Sequence, residues 1–141
     1  MRTPIHLWIV GVMALLWNAG GAYDYIMTQT NNTDYLALLT EAQRAFLAGV
    51  PFWFEVAWAI GVWFSVAGAI LLLLRSRFAG TAFAISLGGL IGSSAYSFFI
   101  AKPSTLDMMT AGQAGFTAMI YIVLILLWVY ARAMTRRNVL T

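Results

Sequence analysis

Four stretches of this chain are almost unbroken in apolar side chains, with polar punctuation between them. They run from about Ile5 to Ile26, Pro51 to Leu74, Phe78 to Ile100 and Ala111 to Ala131. A helix needs roughly 20 mostly apolar residues to cross the hydrocarbon core of a bilayer, and each stretch reaches that length. Runs such as Ile70-Leu71-Leu72-Leu73-Leu74 and Ile122-Val123-Leu124-Ile125-Leu126-Leu127 lack the apolar–polar alternation of a barrel strand. Lipid offers no partner to unpaired backbone groups, so the pattern predicts helices. The expected fold is all-α and integral to the membrane: an antiparallel four-transmembrane-helix bundle forming one domain over 1–141.

The connections set the topology. Arg75-Ser76-Arg77 is a tight basic turn that makes the second and third helices an antiparallel hairpin, and Lys102-Pro103-Ser104-Thr105-Leu106-Asp107 is a second short loop. The connection over 28–50 is the long one. Within it Thr40-Glu41-Ala42-Gln43 reads as a capping box opening a short extra helix. That helix would turn Phe46 and Leu47 to the bundle or the headgroups and Arg44 to water. Pro51 suits the first turn of the second span, where its missing donor costs nothing. Arg2, Arg75, Arg77, Arg132, Arg136 and Arg137 fall at one set of helix ends. Arg44 and Lys102 fall at the other, with Asp34, Glu41 and Asp107. Positive-inside asymmetry then puts both termini in the cytoplasm and the long loop outside.

Composition narrows the class further. Of the 141 residues 62% are hydrophobic and 9% charged, against about 25% charged in soluble domains; such an exterior suits lipid. The net charge of +3 is not gathered on one exposed face, so no nucleic-acid surface is expected. The absence of cysteine excludes disulfides, iron–sulfur clusters, thiol catalysis and cysteine-bound zinc. His6 is the sole histidine, so two-histidine haem and three-histidine metal sites are excluded within one chain. No cofactor is expected. The opening Met1-Arg2-Thr3-Pro4 and its apolar run resemble a leader, with Ala19-Gly20-Gly21 as a cleavage site, but the run is longer than a signal core.

Without a hydrophobic drive between helices in lipid, small residues mark the close approaches. The second span carries Ala57, Gly61, Ser65 and Ala69 at four-residue spacing, and the third carries Gly80, Ala84, Gly88 and Gly92. These stripes would face each other across the arginine hairpin. Gly11, Ala14, Asn18, Gly21 and Tyr25 share one face of the first span, and the bulky second half of the fourth would face lipid or a partner subunit. Trp17, Trp58 and Trp63 sit deep enough to act as packing residues.

Carboxylates inside a membrane are costly and so are candidates for function. Asp24 closes the first span and Glu55 lies just over a turn into the second, both towards the outer side. With Asn18, Tyr25, Tyr96 and Gln113 they outline a polar crevice opening outward. Two close carboxylates would share a proton. Each also has a structural reading: Glu55 near a helix N-terminus, Asp24 meeting interfacial water, Asn18 as an interhelical hydrogen bond. Asn31-Asn32-Thr33 matches a glycosylation sequon, and no phosphate loop, nucleophile elbow or zinc-protease motif is present.

The stretch Leu16-Trp17-Asn18-Ala19-Gly20-Gly21-Ala22-Tyr23-Asp24-Tyr25-Ile26-Met27-Thr28-Gln29-Thr30, with Pro51-Phe52-Trp53 and Gly61-Val62-Trp63 after it, resembles a family of uncharacterised small bacterial four-span proteins. Members are sometimes labelled sugar transporters. The resemblance implies a bacterial inner-membrane location and marks Trp17, Asn18, Asp24 and Tyr25 as signature residues without a known role. The expected partners are the lipid bilayer and other membrane subunits or a second copy of the chain. The functional expectation is a non-catalytic accessory subunit or homo-oligomer. The alternative is a transporter or binding protein for a small polar solute, using Asp24 and Glu55.

Overall fold

The computed structural model describes residues 3–101 and 110–141. Arg2, the loop from Lys102 to Asp107 and the Met108-Met109 pair lie outside the described residues. Every regular element among the described residues is helical: α1 (Ile5–Gln29), α2 (Thr33–Leu36), α3 (Glu41–Ala48), α4 (Phe52–Leu73), α5 (Ala79–Ala95), a π-helical turn (Tyr96–Ile100) continuing α5, and α6 (Ala111–Arg136). The segments Ile5–Gln29, Phe52–Leu73, Ala79–Ile100 and Ala111–Arg136 are each long and apolar enough to span a membrane. The protein is thus an all-α four-helix membrane bundle.

Neighbours in sequence are neighbours in space. α4 packs most extensively on α5, α1 lies against α4, and α6 lies against α5, while α1 and α6 barely touch. The α4–α5 contact is built by glycine and serine, but on a face of α5 offset by one residue from the expected stripe. A Cβ at Gly89 would stand 2.6 Å from both the Ala57 carbonyl oxygen and the Gly61 nitrogen. Beside it the Ser86 hydroxyl donates to the Gly61 carbonyl at 2.5 Å, and a Cβ at Gly92 would touch that of Ala57. Gly88, by contrast, has open space around it and Ala84 is exposed. Gly80 serves another neighbour, the stem of Arg132 in α6. On α4, Gly61, Ser65 and Ala69 all turn inward, and Ala69 is fully buried. Gly68 makes room for Phe83, whose ring would lie 2.7 Å from a Cβ there.

The main apolar core cluster gathers toward one end of the bundle. Leu7 and Ala14 of α1, Leu72 of α4, Phe83 of α5 and Leu124, Leu127, Ala131 and Met134 of α6 form it, with Val139 and Leu140 of the tail. Arg75 and Asn138 adopt positive φ to end α4 and α6. The tail then folds back so that the Thr141 amide donates to the Arg75 carbonyl at 2.9 Å. His6 and Tyr130 are hydrogen-bonded across the α1–α6 seam at this same end. Half of the second part of α6 is therefore core, a departure from the expected lipid or partner face; Ile122, Leu126 and Val129 keep the outward side.

At the opposite end stand Asp24, Asp34, Glu41 and Glu55 with the long connection. The Thr40 capping box forms as expected, with the Thr40 hydroxyl accepting from the Gln43 amide and the Gln43 carboxamide accepting from the Thr40 amide. Arg44 is exposed, as expected, and its guanidinium also donates to the Leu36 and Leu39 carbonyls at 3.1 and 2.6 Å, tying α3 to α2. Phe46 packs on Phe54 and Tyr96.

Candidate functional site

Beyond the core cluster the helices enclose open space. Between α1, α4, α5 and α6 lies a cavity of about 800 Å³. It runs along α6 from Gln113 to Leu124, roughly 16 Å at 1.5 Å per residue, which is about half the thickness of a hydrocarbon core. The loop of α2 and α3 contributes Tyr35 and Leu39 to its mouth. Its walls carry Trp17, Trp58, Phe116 and Leu90, with Asn18, Ser65, Ser86 and Ser93 as the deeper polar groups. The cavity exists because α1 and α6 stay apart over this stretch, bridged by the Trp17–Phe116 ring contact at 5.8 Å. Gly20 and Gly21 widen it: a Cβ at either would meet nothing within 4 Å.

The polar groups share one chemical bias. The hydroxyl hydrogens of Ser65, Ser86 and Ser93 are spent on the carbonyls of Val62, Gly61 and Leu90, so each serine has lone pairs left to offer. Asn18 spends an amide hydrogen on the Ser65 carbonyl at 3.4 Å, linking α1 to α4 and leaving its own carbonyl oxygen. At the mouth Asp24 accepts from the Tyr35 hydroxyl, and a carboxylate has further acceptor capacity. Gln113 is the exception, since its carbonyl caps α6 through the Thr110 amide and its NH₂ remains. Among the described residues, no Lys, Arg or His lines the cavity. Among the described residues the cavity is thus an apolar chamber with hydrogen-bond acceptors and the Asp24 carboxylate. Burial, then the hydrogen bond to Asp24 and its negative charge, push the Tyr35 phenol above its ordinary value.

Three of the six residues singled out in the sequence, Asn18, Asp24 and Gln113, line this cavity together. Tyr25 instead packs edge-on against Trp58 and Trp63, fixing the Trp58 ring from behind. Tyr96 belongs to an aromatic cluster with Phe46, Trp53 and Phe54 that seats α3 on the bundle. Glu55 is half-buried on α4 and is not among the lining residues, so a shared proton between it and Asp24 finds no geometric basis in the cavity. Sequence reasoning missed Tyr35, Phe116 and the α5 serines. The seven-residue spacing of Ser86 and Ser93 was a signal that could have placed both on one helical face.

Fold and site together define a multi-pass membrane helix bundle with an interhelical ligand-sized chamber open at its acidic end. No family model matches the chain, and no curated protein or solved structure proves similar to it.

Proposed function

We propose that this protein binds a small amphipathic cation, an ammonium or other donor on an apolar body, in the chamber between its four spans. The observation that supports this reading is the chamber itself, about 800 Å³ lined by aromatic rings and by acceptors, with no cationic side chain among the described lining residues. Ligand sites commonly measure about 300–1,000 Å³ with few polar groups on apolar walls. Trp17 and Trp58 supply ring faces that attract a cation, and Asp24 supplies the counter-charge. The molecule serves as a binding protein, or as the outward-open state of a carrier, in a bacterial inner membrane with both termini cytoplasmic. It acts without catalysis. This reading moves ahead of a purely accessory subunit because exposed apolar faces are satisfied by lipid, whereas an acceptor-lined chamber asks for a ligand.

The test is thermal stabilisation of the purified protein by a matched series: a phenylalkylammonium, the corresponding neutral alcohol and the corresponding carboxylate. The ammonium should stabilise most and the carboxylate not at all. Asp24→Asn should weaken ammonium binding by about tenfold, equivalent to about 1.4 kcal/mol. Gly21→Phe should fill the chamber and abolish binding while the protein remains folded, since the site is open. Equal response to all three compounds, or unchanged binding in Gly21→Phe, would overturn the reading.

A further inference from the structure

The opposite end of the bundle holds a second recess that the chamber does not use. It measures about 370 Å³ and lies between the start of α5 and the end of α6, lined by Arg77, Gly80, Thr81, Ala84, Trp128, Arg132, Thr135 and Arg136. Three guanidiniums converge on it, and no Asp or Glu occurs in the sequence from Val56 to Leu106 or from Met108 to Thr141. The acids of the described residues all stand at the far end of the bundle. Like charges held together without a carboxylate create a strongly positive local field. Their aromatic contacts do not neutralise it: Arg132 lies over Trp128 at 5.6 Å and Arg77 over Phe78 at 5.2 Å.

We propose that this recess binds the phosphate of an anionic phospholipid headgroup. Guanidiniums recognise phosphate oxygens through paired N–H donors, and basic pockets between spans on the cytoplasmic side suit such headgroups. Geometry favours a lipid over a free anion. The recess sits where two membrane-spanning helices end, Trp128 offers an amphipathic ring at headgroup depth, and the helices above expose Ile85, Ile91 and Ile125 to acyl chains. Gly80 shapes the floor by letting the Arg132 stem lie against α5, with only 3.4 Å between the Arg132 Cγ and a Cβ placed there. Arg75 is engaged elsewhere, donating to the Val139 carbonyl. The inference does not depend on what the outer chamber holds.

The experiment reconstitutes the protein in vesicles of phosphatidylcholine alone or with one fifth phosphatidylglycerol, and counts the lipid retained by native mass spectrometry after detergent extraction. A third arm adds inorganic phosphate to the phosphatidylcholine vesicles, and thermal stability is followed in all three. One retained phosphatidylglycerol is expected per chain. Retention should drop about tenfold in Arg77→Gln/Arg132→Gln and stay unchanged in Arg137→Gln, whose residue lies outside the recess. Equal loss in Arg137→Gln would reduce the effect to general surface charge and overturn the site. Stabilisation by inorganic phosphate equal to that by the lipid would overturn the lipid assignment. A folded double variant that still retains the lipid would overturn the proposal altogether.

Discussion

At Gly89 a single methyl group would meet backbone on two sides, the Ala57 carbonyl and the Gly61 nitrogen. Backbone cannot swing away as a side chain can, so the helices themselves would have to separate. Gly88, one position earlier, faces open space. Gly89→Ala should therefore destabilise the bundle by about 1–3 kcal/mol, the usual cost of overpacking, while Gly88→Ala leaves stability unchanged or slightly raised. Unfolding in a denaturing detergent titration measures both, and equal behaviour of the two variants would refute the assigned α4–α5 face. Both glycines were visible in the sequence, and so was the glycine-rich character of α5. The phase was not. Four-residue spacing fits Gly80, Ala84, Gly88 and Gly92, but Ser86, Gly89 and Ser93 form an equally regular face, and serine approaches a neighbouring backbone almost as closely as glycine.

At the scale of elements, the long connection is an ordered structure rather than a tether. Asn32 caps α2 by accepting from the Tyr35 amide, Thr40 caps α3, and Arg44 ties the two together. Tyr35 then fastens the whole loop to α1 through Asp24. Its phenol is held above the ordinary tyrosine value by burial and by that carboxylate. A group whose folded value is raised contributes stability that is complete below its unfolded value, near 10, and fades as pH climbs towards the folded value. The stability gap between wild type and Tyr35→Phe should hold constant up to about pH 10 and shrink above it. The absorbance difference between the two proteins should show one tyrosine ionising late, and Asp24→Asn should bring it earlier. A Tyr35 that titrates at the ordinary value would show that the contact with Asp24 does not form. The capping box at Thr40 was legible because it depends on residues three apart. The Tyr35–Asp24 contact was not, because it depends on how the loop folds back over the end of α1.

For the molecule as a whole, charge and packing divide along the same axis. The described arginines other than Arg44 gather at the end that holds the core, and the acids gather at the end that holds the chamber. If that axis crosses the bilayer as the positive-inside rule directs, the chamber opens outward. The chain contains no cysteine, so single substitutions report without background. In intact cells an impermeant maleimide should label Thr33→Cys and should reach Thr141→Cys only after permeabilisation. The reverse pattern would invert the proposed orientation and, with it, the side from which a ligand enters.

Sequence by itself determined the four spans, their antiparallel order, the short capped helix and the separation of charge, because each follows from local hydropathy, spacing or a turn. It also marked Asn18, Asp24 and Gln113 as polar groups out of place in lipid. Only the tertiary structure decided that those three share a chamber while Tyr25 and Tyr96 pack elsewhere and Glu55 stands apart from its lining. The reason is geometric. A helix turns 100° per residue, so a contact face is fixed by where its neighbours press, and the space left between α1 and α6 is a property of no single segment.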